Sequence, residues 1–399
     1  MVRHRLYHPI VYVLSFRSLP AVIAASKDNV ECAKHYASKL HANDSLDALV
    51  VRCDGGIGDN GTQVISEALR HHKHLMKLDL KFNRIHDGGA VALARAICKR
   101  PHNSSPLRLL LSGNNIGPSG AKAFAGALAN KSCSSLSHLD LWDNNVTTDG
   151  GIELARALGH SESLSVLQLG QNGIGQEAGQ FFGESLNKNS ALRELYLGHN
   201  GLNGQGIISF EGNLIRNDAL KILEFNGNNI DDCGAHALSK IVQKNGGLFT
   251  LWLRDNNISD KGAAYIFDGI RKGLEFCQGS AIKELDLSGN SIGDIGAEAF
   301  ARLLLNNTNS TNLSIVALEE NLISKEGARV IAENMIQRAV RNLSYCEVRV
   351  SDCSAMSAFF LKYIQSRSMN NAQTAVFSGS CPLFLFTLLS IISGIAVMS

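Results

Sequence analysis

One returning phrase restricts the fold of this chain more than anything else in it. Asparagine followed two residues later by an apolar residue occurs at Asn83, Asn114, Asn144, Asn172, Asn200, Asn228, Asn256, Asn290 and Asn321, at steps of 31, 30, 28, 28, 28, 28, 34 and 31 residues. Each asparagine closes L-x-x-L-x-L-x-x-N-x-I, as in Leu75-Leu78-Leu80-Asn83-Ile85, Leu136-Leu139-Leu141-Asn144-Val146 and Leu248-Leu251-Leu253-Asn256-Ile258. Alternation of that kind predicts a short strand. A glycine usually follows six residues after the asparagine, and then a near-refrain: GAVALARAI from Gly89, GAKAFAGAL from Gly120, GGIELARAL from Gly150, GAHALSKIV from Gly234 and GAEAFARLL from Gly296. Its apolar residues recur at helical spacing.

A strand and a helix per unit, each with one apolar face, cannot bury those faces alone, so the units must stack. The asparagine is predicted at the bend leaving the strand, where an amide can both donate to and accept from backbone groups cut off from water. The glycine is predicted to serve a tight turn before the helix.

The phrase resembles the leucine-rich repeat signature, and the period with a full helix resembles the ribonuclease-inhibitor-like class. Within that class, L-D-L-S-G-N-S-I-G-D-I-G-A-E-A-F from Leu285 to Phe300 is most similar to the repeat arrays of NOD-like receptors of the CARD-containing type. The resemblance implies an α/β fold: a curved leucine-rich repeat solenoid, with a parallel sheet on the concave side and helices on the convex side. It also implies binding of a protein partner, not an enzyme activity. It covers residues 46–341, about ten repeats. Residues 1–45 read as an N-terminal segment with a capping helix from Val30 to Leu40, 342–367 as a C-terminal cap with a last helix over Ala355–Ile364, and 368–399 as an uncharged apolar tail. The receptors' nucleotide-binding domain has no counterpart, because G-x-x-x-x-G-K-[ST] is absent.

Composition narrows the partners. With 38 basic against 36 acidic side chains, a net charge of +2 and no long run of either sign, a nucleic-acid surface has no support. Nine cysteines lie far apart without a C-x-x-C pair, which predicts neither a disulfide framework nor a zinc site. Gly56-x-Gly58-x-x-Gly61 with Asp79 outlines a dinucleotide fingerprint, yet it stands in repeat register and is read as repeat, so no cofactor is expected. His71, His72 and His74 lack neighbouring cysteine or carboxylate spacing and are read as a solvated loop, so no metal is expected.

Function in such an array belongs to the non-leucine strand positions, whose side chains alternate onto the concave sheet. In the middle repeats these are His138, Asp140, Trp142, Asp143, Glu194, Tyr196, His199, Glu224, Trp252, Arg254 and Asp255. Both tryptophans of the chain are among them, and large aromatics with arginine anchor protein interfaces. The competing reading is that Trp142 and Trp252 only cover their neighbours. Mixed charge on this face favours a protein over a phosphate-rich ligand. A rival from another class is a Ran-type GTPase activator, since those proteins share the repeat class, although their acidic C-terminal stretch has no counterpart.

The ends bear on location. Residues 383–398 are almost continuously apolar, which reads as a membrane tether, as a removable GPI signal, or as an appendage buried on the array. Arg3 and Arg5 precede an apolar stretch interrupted at Arg17, an ambiguous leader. N-x-[ST] sequons, including Asn43, Asn103, Asn145 and Asn306, suit a secretory or cell-surface protein. Unpaired cysteines and the resemblance to an intracellular class point to the cytoplasm. The cytoplasm, with a membrane tether through the tail, is the leading expectation, and the cell surface the alternative.

Overall fold

The computed structural model describes residues 29–351 other than 102, 134, 276–279, 306–312 and 341–345. The expectations for the leader, for the last helix over Ala355–Ile364 and for the apolar tail lie outside the described residues. Within them, strands β1 (Ala48–Val50), β2 (Lys77–Asp79), β3 (Leu107–Leu110), β4 (Leu136–Asp140), β5 (Val166–Gln168), β6 (Glu194–Tyr196), β7 (Ile222–Glu224), β8 (Thr250–Trp252), β9 (Glu284–Asp286), β10 (Ile315–Ala317) and β11 (Glu347–Arg349) form one parallel sheet in chain order. Helices connect them: α2 (Gly58–Leu69), α3 (Asp87–Lys99), α4 (Pro118–Ala129), α5 (Thr147–Leu158), α6 (Ala178–Leu186), the broken pair α7 (Asn203–Ile208) and α8 (Glu211–Leu214), α9 (Asp232–Lys244), α10 (Asp260–Glu275), α11 (Asp294–Leu305) and α12 (Lys325–Val340). A further helix, α1 (Val30–Ala42), precedes β1 and packs Ala33, Ala37 and Leu40 into the same core.

Curvature follows from the unit. Neighbouring strands sit about 4.8 Å apart, whereas packed helices need about 8–10 Å. One of each per repeat therefore bends the array, with the sheet inside. The phrase leucines Leu78, Leu80, Leu139, Leu141, Leu195 and Leu197 are fully buried between the two layers, with Phe124, Phe182, Phe210 and Phe300 filling the helix side.

The repeat asparagines stitch one unit to the next. Asn200 donates from Nδ2 to the carbonyls of Leu169, Leu197 and Gly198 at 2.9, 3.0 and 3.2 Å, and its Oδ1 accepts the N–H groups of Asn172 and Ile174 at 2.9 and 3.3 Å. Asn172 and Asn228 make the corresponding bonds. A side chain with both donors and an acceptor is required at this bend, and leucine or aspartate could not satisfy both kinds of neighbour.

Two expectations are corrected. The glycine that usually stands six residues after the asparagine is not a turn residue: Gly120 sits in the first turn of α4, and a Cβ there would lie 2.7 Å from Ile116 Cγ2 and 2.8 Å from Ala90 Cβ. It is needed because adjacent helices approach too closely for a side chain. Four of the nine cysteines, all read as unpaired, form two disulfides, Cys32–Cys53 and Cys98–Cys133, over separations of 21 and 35 residues. Stacking brings positions about one repeat apart side by side, which spacing along the chain conceals. Cys233 is a free, exposed thiol.

The structure also shows a second set of polar stitches, at the opposite edge, where each helix returns to the sheet. Asn217 donates to the carbonyls of Leu186 and Asn189 and accepts from the N–H groups of Ala219 and Leu220. Asn189 and Asn245 repeat this arrangement. Nearer the start, buried His72 fills the slot, with Nδ1 accepting from Leu75 N–H at 3.1 Å and Nε2 3.0 Å from the Asn43 carbonyl. His72 is therefore not part of a solvated loop, a further correction.

Candidate protein-binding face

Sheet register fixes which non-leucine residues are neighbours. One row across the strands runs Ala48, Lys77, Arg108, His138, Val166, Glu194, Ile222, Thr250 and Glu284. Two residues on, the parallel row runs Asp140, Gln168, Tyr196, Glu224, Trp252 and Asp286. Beyond the strand ends a third row carries Arg52, Lys81, Ser112, Trp142, Gly170, Gly198, Asn226, Arg254, Ser288 and Glu319.

Charge separates along this face. Over β1 to β4 the rows hold Arg52, Lys77, Lys81 and Arg108 against Asp79 and Asp140; over β6 to β10 they hold Glu194, Glu224, Glu284, Asp286 and Glu319 against Arg254. Asp140, 1 % exposed, is saturated: it accepts from Ser112 Oγ and from Trp142 N–H, and Lys81 Nζ lies 3.3 Å away. Glu224, 9 % exposed, is met by neutral donors, among them Gly198 N–H at 2.8 Å, Asn226 N–H at 3.3 Å and the Asn226 side chain, and no salt bridge reaches it among the described residues. Burial pushes its carboxyl up to about 7. The converse holds at His138, where burial, aided by the Arg108 charge, pulls the imidazole down to about 4.

Aromatic rings interleave with the acids. Tyr196 and Trp252 flank Glu224 in its row, with ring centroids 6.2 Å apart. Tyr196 Oη donates to Glu194 Oε2 at 2.8 Å, and Trp252 Nε1 donates to Glu284 Oε1 at 3.0 Å. Burial first, then the Glu194 charge, raises the tyrosine hydroxyl above its usual range, so it remains a donor. Two adjacent glycines form the floor beside them. The Trp142 indole lies over Gly170 and the Glu224 carboxylate over Gly198, so closely that a Cβ on either glycine would come within 2.5 and 2.3 Å.

Of the eleven residues expected from sequence, the structure thus gathers Glu194, Tyr196, Glu224 and Trp252 into one patch, with Trp142 beside it. Asp143, His199 and Asp255 stand apart in the turn after the strand, each with a left-handed backbone. His199 and Asp255 lean over Gly227 and Gly289 of the next unit. Arg254 is held by Asp255 at 3.4 Å and by Glu320. Asp140, 1 % exposed, is already engaged by Ser112, Trp142 and Lys81, and His138 lies on the other row, between Arg108 and Val166. Sequence reasoning missed Glu284 and Asp286, although both occupy the same strand positions one unit further on. The dinucleotide outline is occupied by repeat: a Cβ at Gly56 would lie 2.6 Å from the Asn83 carbonyl oxygen, and Asp79 pairs with Arg52 at 3.2 Å. No helix among the described residues is long and apolar enough to cross a membrane.

A leucine-rich repeat family profile matches residues 71–94, 103–125, 132–155, 188–210, 250–267 and 282–301. No curated protein matches the chain significantly. Among solved structures, an internalin from Listeria monocytogenes str. 4b F2365 is 17% identical with a TM-score of 0.41, over 83% of this chain and 92% of its own. The Arabidopsis receptor kinase HAESA, in complex with the peptide hormone IDA and the co-receptor SERK1, is 17% identical with a TM-score of 0.40, over 70% of this chain and 39% of its own. Leiomodin-1 actin-binding site 2 is 17% identical with a TM-score of 0.30, over 47% of this chain and 86% of its own. Each segment matched by the family profile holds one strand followed by the start of a helix, in register with the others, and the chain is a leucine-rich repeat protein.

Proposed function

We propose that this chain is a recognition module without catalytic activity, binding a protein partner through the concave sheet, and that the partner presents a lysine- or arginine-bearing segment to β6–β9. The observation that carries this reading is the row Tyr196, Glu224, Trp252, Asp286, in which aromatic faces alternate with carboxylates and the buried Glu224 has no counter-charge. A cationic side chain laid there gains ring faces and an uncompensated carboxylate together. A place in innate immune or signalling regulation rests on the similarity of the repeat phrases to NOD-like receptor arrays.

The test is a partner captured from the native cells and titrated against wild type and the triple variant Trp142→Ala, Tyr196→Ala, Trp252→Ala. Loss of at least ~2 kcal/mol of binding is expected. Unchanged affinity, with the far-ultraviolet spectrum and unfolding midpoint preserved, overturns the placement.

A further inference from the structure

The buried repeat asparagines and the exposed ones obey different rules. None of the nine repeat asparagines can be an N-glycosylation acceptor, because the residue two places on is apolar in every unit. All six sequon asparagines within the described residues, Asn43, Asn60, Asn103, Asn130, Asn145 and Asn257, are exposed. Two doubled asparagines show the division of labour. Asn144 and Asn256 turn inward and bond the backbone of neighbouring units. Asn145 and Asn257 are anchored by their own N–H groups to the carbonyls of Ile116 and Ile230, with their side chains outside.

Four of the six stand on loops, whereas Asn60 lies within α2 and Asn130 caps the end of α4. Asn145 and Asn257 lie on the loops leaving the sheet, and Asn43 and Asn103 on the loops returning to it, so none stands on a strand. At Asn43 the Ser45 hydroxyl already donates to the side-chain oxygen at 2.7 Å, within an exposed turn. Between Asn145 and Asn257 the chain has no sequon, and that interval contains β5 to β8 with Tyr196, Glu224 and Trp252. The independent observation is redox. The Cys32–Cys53 bond ties α1 to the turn after β1, and Cys98–Cys133 ties α3 to the turn after α4. Bonds of this kind persist in oxidising compartments.

We infer that the chain matures in an oxidising, glycosylating secretory compartment and carries N-linked oligosaccharides on Asn43, Asn103, Asn145 and Asn257, which screen both loop edges and leave the sheet over β5–β8 bare. In the step, the asparagine amide nitrogen bonds to C1 of a lipid-pyrophosphate-linked oligosaccharide. The C1–O bond breaks, the lipid pyrophosphate departs with the electron pair, and the amide gives up one proton. This placement stands apart from the proposed binding mode, since a bare sheet is compatible with any partner of that face.

The experiment uses the full chain isolated from its native cells, with thiols alkylated at harvest. It is treated with peptide-N-glycosidase in ¹⁸O-water and mapped by mass spectrometry without reduction. Labelled aspartate at two or more of the four asparagines, together with linked Cys32–Cys53 and Cys98–Cys133 peptides, is the expected result. Fewer labelled sites, or alkylated thiols at those four cysteines, overturns the inference. The triple-alanine titration reads a different quantity, so the two readings fail separately.

Discussion

The first repeats and the middle repeats solve the same problem with different residues. In both, the chain returning from helix to sheet leaves carbonyls of two units without partners. The middle units place asparagine seventeen residues after the repeat asparagine, at Asn189, Asn217 and Asn245, and each reaches its own loop and the unit before it. The unit begun by Asn83 has Arg100 in that slot. Its step is 31 residues instead of 28. The guanidinium spans the longer loop, donating to the carbonyls of His72, Lys73, Leu75 and Ser105 at 3.1, 3.3, 2.8 and 3.2 Å. Burial pulls Arg100 down to about 10, so it remains a cation at neutral pH. The lesson is that the slot is conserved in purpose by geometry, while loop length decides which side chain fills it.

The sharpest break of that comparison is Arg100→Leu, which strands four carbonyls and should cost at least ~4 kcal/mol in urea unfolding. Asn217→Ala should cost ~3 kcal/mol by the same reasoning on neutral partners. Arg100→Asn, which restores the residue of the middle units, is expected to recover less than half the loss, because the amide is too short for this loop. Full recovery would show that loop length is irrelevant.

The two regions should also titrate in opposite senses. His138, among the first strands, has a folded value of about 4, below its ordinary 6.5. The unfolded chain binds its proton first, so stability is lost as pH falls from 6.5 toward 4. Glu224, in the middle, has a folded value of about 7, above its ordinary 4.5. There the folded chain holds the proton longer, so stability is lost as pH rises from 4.5 through 7. Each effect is on the order of 3 kcal/mol at full extent. Unfolding free energy measured from pH 4 to 8 should therefore lose its alkaline decline in Glu224→Gln and its acid decline in His138→Gln. An unaltered profile in either variant removes that residue from the account.

The smallest expected effect lies between the regions. The Lys131–Glu162 pair joins adjacent units at 2.8 Å, but both side chains are largely in water. Lys131→Met should leave the unfolding midpoint where it is, as exposed pairs generally do. A measurable drop would mean that surface ion pairs, and not only buried stitches, hold neighbouring units together.

Much of this was legible along the chain. The leucine phrase predicted the strands, the refrain predicted the helices, and a repeated asparagine among leucines predicted a two-sided amide at the bend, as the bonds of Asn200 show. The second slot was less visible, because Asn217 has Arg100 and His72 as its equivalents and no single residue type marks the position. At the candidate face the strand rule found Tyr196 and Trp252 but also took in Asp143, His199 and Asp255, which left-handed turns set aside.

The unit, its register and its need to stack follow from the order of residues alone, since period and polarity are properties of neighbours along the chain. What lies side by side across units follows instead from the stacking of the folded array. It joined Cys98 to Cys133 and placed Glu224 in the row between Tyr196 and Trp252 without a counter-charge. It also showed the helix glycines to be demanded by close packing. Contacts between residues some thirty places apart depend on the pitch of the array, and no local pattern encodes them.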